Sequence, residues 1–260
     1  NDISGLEFYT SEAGAGVERM TILADGKVGI GTTLPGAKLD VSGDALINGL
    51  TVGRGAGNVA TNTANGYEAL NSNTGGGNNT ANGYRVLKLN TTGHSNTANG
   101  QAALYSNTTG NYNTANGREA LNKNTTASFN TANGYRALWS NTTGFSNTAN
   151  GYEALRSNST GNYNTANGRQ TLYSNTTANN NTANGYQALF SNTTGHSNTA
   201  TGYQVLELNT TGNSNTANGY EALYSNTTAS YNTANGFWAL KANTTGHSNT
   251  ANGYEALKSN

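Results

Sequence analysis

Apolar residues in this chain follow two different patterns. From residue 62 onward a leucine returns every 17 residues, at Leu70, Leu87, Leu104, Leu121, Leu138, Leu155, Leu172, Leu189, Leu206, Leu223, Leu240 and Leu257, with no insertion or deletion. The unit reads Asn-Thr-Ala-Asn-Gly-Tyr-Glu-Ala-Leu-x-Ser-Asn-Thr-Thr-Gly-x-x, and the columns begun by Ala64, Gly66 and Asn73 never vary. The column after leucine runs Asn71, Lys88, Tyr105, Asn122, Trp139, Arg156, and the column after tyrosine runs Glu68, Arg85, Ala102, Glu119. Invariant Leu and Ala predict the inside, and the varied columns predict the solvent face. A fixed Asn-Gly marks a tight corner, because glycine tolerates positive φ. A meander of hairpins closed by Asn-Gly is the alternative, but equal steps favour a coil that returns to the same corner each turn. Stacked asparagines predict side-chain amide ladders between turns. Tyr67-Glu68-Ala69-Leu70 has the length of one helical turn, an option that the residues leave open. The expected fold is all-β, a β-solenoid or β-roll with 17-residue turns over residues 62–260.

Residues 1–61 lack the repeat. Thr21-Ile22-Leu23 and Lys27-Val28-Gly29-Ile30 flank Ala24-Asp25-Gly26, a hairpin signal, and Leu34-Pro35-Gly36 is a turn signature. Leu39-Asp40-Val41 and Ala45-Leu46-Ile47 read as short strands. The segment is expected to be a small β module, joined to the rod through a flexible Gly53-Arg54-Gly55-Ala56-Gly57. At about 4.8 Å per turn the rod would be roughly 55–60 Å long. The sequence stops within a repeat at Ser259-Asn260, which predicts either further chain or end-to-end stacking through an unpaired strand edge. Ala127, Ala178 and Ala229 replace glycine at 51-residue intervals, as duplication of a three-repeat block would produce.

Composition supports an array more than a globule. Only 33% of residues are hydrophobic and 10% charged, against about 45–50% and about 25% in typical domains. Thirteen basic and thirteen acidic residues leave no net charge, so the basic footprint of a nucleic-acid-binding protein is missing. No apolar run is long enough to span a membrane. Cysteine is absent, which excludes thiolate metal sites and a disulfide framework. One leucine per turn also buries little apolar area against the entropy of ordering the turn. The expected remedy is a homo-oligomer in which the leucine column packs against copies of itself on a symmetry axis.

Residues 17–49, VERMTILADGKVGIGTTLPGAKLDVSGDALING, resemble a module common in bacteriophage tail fibres. The 17-residue unit is similar to repeats that follow that module, which carry Ile where this chain has Asn65. Those are in turn similar to the head repeats of trimeric autotransporter adhesins, which are left-handed β-rolls. The resemblance implies a parallel homotrimeric fibre, located on a virion tail or at the cell surface.

Chemistry-bearing clusters are sparse. His94, His196 and His247 share one column but lie at least about 14 Å apart at strand spacing, and are expected to be exposed polar residues. The glycine runs lack the Lys-Ser/Thr of a phosphate loop. Ser and Thr are not accompanied by a His–carboxylate pair, and Glu68, Glu119, Glu153, Glu221 and Glu255 read as solvated face. No catalytic residue and no cofactor or metal site are expected. Tyr105, Trp139, Tyr173, Phe190 and Tyr224 are candidate surface contacts, for neighbouring chains or for stacking on a receptor glycan. The acceptor pattern Asn-Thr-Thr or Asn-Ser-Thr at Asn90, Asn107, Asn124, Asn141 and Asn158 is supplied by the repeat itself. The leading functional expectation is a fibre shaft holding a receptor-binding tip, and not an enzyme. An adhesin or self-assembling surface filament is the alternative. Ice binding by Thr ladders such as Thr63/Thr80 and Thr91/Thr108 is disfavoured, on the ground that bulky residues and Asn interrupt the pattern.

Overall fold

In each repeat only Thr-Ala-Asn is extended, and the pleat sends Ala to one side and Thr and Asn to the other. These tripeptides stack directly on one another: Thr114 pairs with Thr131, Ala115 with Ala132 and Asn116 with Asn133, in parallel. The computed structural model describes residues 5–12 and 15–259. Strand β7 (Thr63–Gly66) is followed by β8 (Thr80–Asn82), and the series continues one strand per repeat to β18 (Thr250–Asn252), all in one parallel stack. The chain is therefore an all-β parallel β-solenoid with 17-residue turns.

The stretch from tyrosine to leucine is not a helical turn. Glu119 and Leu121 both adopt left-handed φ, 57° and 49°, on either side of Ala120, and the same alternation recurs in every turn. The backbone amide of Leu121 donates to the carbonyl of Ala137 in the next turn at 3.0 Å, and that of Leu104 donates to Ala120 at 3.0 Å. Hydrogen bonds thus run along the rod axis, as in the strands, while the chain bends within each layer.

Leu70 and every later leucine of the column as far as Leu240 are fully buried, lined by the Ala64 and Ala69 columns, with Val86, Thr171 and Val205 as substitutes in the latter. Leu257, in the last turn, is half-exposed. The inside–outside assignment therefore holds, but the expected use of leucine does not. A single chain closes around its own leucine column, so leucine packs on leucine from turn to turn and is not a seam between copies.

Ahead of the rod, β1 (Leu6–Glu12), β2 (Ala15–Ile22), β3 (Val28–Ile30) and β4 (Leu39–Val41) form a four-stranded sheet. Met20 opposes Ile30 and Ile22 opposes Val28 across the hairpin anticipated at Asp25-Gly26. Strands β5 (Ala45–Ile47) and β6 (Leu50–Gly53) pair antiparallel and belong to the rod's sheet: β6 runs antiparallel to β7, with Val52 opposite Asn65. The first strand of the rod thus has its free edge covered.

The glycine-rich junction is pinned rather than flexible. Asp44 accepts the backbone amides of Arg54 and Gly55, the latter at 2.7 Å, and Ala56 donates to the Leu70 carbonyl at 3.1 Å. Gly55 has φ 76°, and a Cβ there would meet the Leu70 Cβ at 2.5 Å. Glycine is therefore required for contact with the core.

Candidate functional site

Side chains in each column meet their own kind from adjacent turns, so any surface property is repeated along the rod. Two asparagine columns lie inside. Asn90 donates to Asn73 Oδ1 at 3.0 Å, and Asn107 to Asn90 at 2.8 Å. Asn96 lies in a second buried file that begins at Asn62, and accepts the backbone amide of Asn113 at 3.0 Å. Asn90, Asn107, Asn124, Asn141 and Asn158 are fully buried with their amides committed, so the folded rod offers no acceptor at these sequons.

A third amide ladder runs along the outer side of the strands, with Asn82 donating to Asn99 at 2.9 Å and Asn99 to Asn116 at 2.7 Å. Thr80, Thr97 and their successors form the parallel file beside it. In β15 (Thr199–Tyr203) and β16 (Thr216–Tyr220) the strand runs on to the tyrosine, so an aromatic ring borders this Thr–Asn face. The Thr91/Thr108 column is different, because its hydroxyls are committed: Thr91 Oγ1 donates to the Thr108 carbonyl at 3.0 Å.

The face bearing aromatic and charged groups consists of three adjacent columns. The first is the tyrosine column. It is an exposed π column: Tyr186, Tyr203, Tyr220, Phe237 and Tyr254 stack in succession with centroids 4.9–5.4 Å apart. Arg169 occupies this column with its guanidinium 5.5 Å from the Tyr152 ring and 5.9 Å from that of Tyr186. An aromatic ring at this position in nine of twelve repeats is the available signal.

The second column is the glutamate column, and it is an ion-pair ladder rather than a freely solvated face. Glu68 receives Arg85 Nε at 2.7 Å and Lys88 Nζ at 2.8 Å; Glu119 receives Arg136 Nε at 2.7 Å. The Lys88 hydrogen bond, helped by Arg85, holds the Glu68 carboxyl below its ordinary range. Burial works to raise Glu119, but the Arg136 contact outweighs it and the net shift is downward. Gln170, Gln187 and Gln204 continue the ladder with amide hydrogen bonds of 3.1–3.2 Å.

The third column holds the five candidate contact residues, all half-buried. Tyr173 and Phe190 stack at 5.0 Å. Trp139 carries the Lys123 ammonium at 3.9 Å and the Arg156 guanidinium at 5.3 Å. Tyr105 is separated from Trp139 by Asn122, and Tyr224 from Phe190 by Glu207, so the five do not form one continuous stripe. Burial, then the nearby Glu221 charge, pushes the Glu207 carboxyl up, and one of its oxygens is buried without a hydrogen-bond partner.

Two of the three histidines have a backbone role, whereas His94 Nδ1 lies 3.4 Å from Ser95 Oγ. Nδ1 of His196 accepts the Asn179 amide at 2.9 Å, and Nδ1 of His247 accepts the Ser230 amide at 3.0 Å. Asn111, Ser128, Asn162 and Asn213 accept in the same way in their own turns. His, Asn and Ser thus share this column because each presents a side-chain acceptor at similar reach. No group of three or more His, Asp or Glu side chains is placed to hold a metal ion among the described residues, and no helix among them is long and apolar enough to cross a membrane. No protein-family model, curated protein or solved structure matches this chain.

Proposed function

We propose that this chain is the structural shaft of a surface fibre, of a phage tail or a similar extracellular appendage, and that its role is mechanical rather than enzymatic. The observation that carries this reading is the contrast between its two parts. The rod needs no partner to bury its leucine column as far as Leu240, and its exposed apolar groups are mainly aromatic. The segment before it leaves Leu34 84%, Leu46 73% and Leu39 61% exposed, with Leu6 and Ile47 also more than half-exposed. Such a concentration of exposed aliphatic side chains marks an association surface. Copies of the same segment meet this need, in line with the resemblance of residues 17–49 to trimeric tail-fibre modules. Residues 1–61 would then hold three rods parallel at one end, and the axial hydrogen bonds would keep each rod stiff. The same architecture serves an adhesin or a surface filament that presents a glycan-binding tip.

Sedimentation velocity of the 260-residue chain tests the assembly. A trimer that becomes a folded monomeric rod when residues 1–43 are deleted and Leu46→Thr and Ile47→Thr are introduced, which keeps β5 and β6 on the rod's first strand, is the expected result. A folded monomer of the whole chain overturns the trimeric reading. Antibody labelling of virions and of cells from the source then separates tail shaft from cell-surface filament, and signal confined to the soluble cell interior overturns both.

A second reading rests on the Thr–Asn face. Its hydroxyls and amides recur once per turn in register, the kind of regular spacing that an ice-binding face would use. Thermal hysteresis at micromolar protein tests it, and its absence rules it out.

A further inference from the structure

The exposed π column and the ion-pair ladder are both interrupted in one turn. Gln101 is the single residue of the first column, from Tyr67 to Tyr254, that carries neither an aromatic ring nor a guanidinium. Its neighbour Ala102 is the single alanine of the second column. Where the adjacent turns place Arg85 and Glu119, this turn has only a methyl group. The result is an open concavity of about 370 Å³.

The surroundings of this notch are chemically mixed. Tyr105 and Trp139 contribute aromatic surface. Asn122 donates its amide to the Ala102 carbonyl at 3.0 Å, which orients the side chain and leaves its oxygen as an acceptor. Gln101 is exposed at the rim. Arg85 and Glu119 face each other across the missing side chain, and each is held in ion pairs: Arg85 by Glu68, which Lys88 also reaches, and Glu119 by Arg136, with Arg118 at 3.4 Å. The notch therefore presents planar donors and acceptors fixed by their neighbours.

A ligand suited to this place has an apolar face to lie on a ring and hydroxyls around its edge for Gln, Asn and a held carboxylate. A pyranose ring has these properties. Filling the position with a longer side chain would remove the space without disturbing the rod, because this column already accepts Gln in the ladder Gln170–Gln187–Gln204.

We propose that the notch at Ala102 binds one pyranose unit of a glycan, giving the rod itself a saccharide-binding site. The inference uses only one chain's lateral face, so it stands or falls independently of the trimer.

Trp139 and Trp238 are the two tryptophans of the chain, and Trp238→Phe leaves Trp139 as the sole reporter at the notch. This variant is titrated with maltohexaose, cellohexaose and chitohexaose while Trp139 emission is followed. A saturable change with at least one of the three is expected. Adding Ala102→Gln should weaken that binding at least tenfold while leaving the thermal midpoint unchanged or higher, which shows that the rod is intact. A flat response to all three sugars overturns the proposal, as does equal affinity in the Ala102→Gln variant. Sedimentation of the same samples reports the oligomeric state separately, so failure here is distinguishable from failure of the fibre reading.

Discussion

Asn107 donates one side-chain N–H to Asn90 Oδ1 at 2.8 Å and the other to the Gly110 carbonyl at 3.0 Å, while its own oxygen accepts from Asn124 at 2.8 Å. The residue is fully buried, so none of these groups has water as a substitute. Asn107→Leu would leave Asn90 Oδ1, the Gly110 carbonyl and one Asn124 N–H with fewer partners, each at a cost of about 1–3 kcal/mol. The expected outcome is a clear fall in thermal midpoint, larger than for replacement of an exposed threonine such as Thr109. Asn107→Asp should cost more at neutral pH, because two acceptors would then face Asn90 Oδ1 and the Gly110 carbonyl. Part of that loss should be recovered in acid, when the carboxyl regains a proton to donate. Circular-dichroism melts at two pH values check both statements; melts that overlay the parent would contradict the buried-ladder account.

Leu138 and Trp139 are neighbours with opposite placement, the first fully buried and the second half-exposed. Leu138→Ala is expected to cost about 2–5 kcal/mol locally, and Leu138→Asp to break the rod at that turn. Trp139→Ser removes a ring stacked on Lys123, a contact worth about 0.5–1 kcal/mol, plus part-buried area. It should therefore be milder than Leu138→Ala. Limited proteolysis checks the order: Leu138→Asp should open a cleavage site in its own turn that Trp139→Ser does not.

The repeat made the rod legible because a residue that never varies, such as Leu70 or Ala64, must satisfy the same constraint in every turn. The corner glycine and the amide ladders followed from that logic, whereas the confinement of the strand to Thr-Ala-Asn did not. The destination of the leucine was misjudged because apolar area per turn was counted without the asparagine files. These fill the rest of the interior with satisfied polar groups, so the cross-section closes with little hydrocarbon. The exposed tyrosine column is not legible from burial arguments, because Tyr203 is held by stacking between Tyr186 and Tyr220 on the outside. The notch at Ala102 was visible only as one small residue in a varied column. Its meaning depends on which columns stand side by side, and spacing along the chain does not give that. The pinning of Gly53–Gly57 rests on Asp44, which no local pattern connects to it.

Left-handed backbone at non-glycine residues carries a cost that one substitution can reduce. Ser146 has φ 55°, in a column where Asn78 and Asn180 adopt φ 58° and 60°. Left-handed geometry costs most L-residues about 1–2 kcal/mol, and asparagine visits it more readily. Ser146→Asn should therefore raise the thermal midpoint slightly. Ser146→Val, β-branched in the same conformation, should lower it. The reverse order in paired melts would show that side-chain packing, and not backbone preference, sets the composition of this column.

Two carboxylates on the same face should respond to pH in opposite directions. The Glu68 carboxyl is held down by Lys88 and Arg85, so its folded-state value lies below the unfolded one. Its contribution is present above the unfolded value, 4.5, and is lost as pH falls through the lower, folded value. Glu207 is the opposite case: burial and Glu221 raise it, so the folded state prefers the protonated form. That preference is fully expressed below the unfolded value and disappears as pH rises through the folded one, leaving a poorly partnered charge at neutral pH. Glu207→Gln should therefore raise the midpoint at pH 7 and have little effect at pH 4. Glu68→Gln should lower the midpoint at pH 7, with the difference from the parent shrinking in acid. The sign of each shift in melts at the two pH values is the measurement. A Glu207→Gln variant less stable than the parent at pH 7 would mean that the carboxylate has a partner worth keeping, and the reading of Glu207 as a misfit in the ladder would fail.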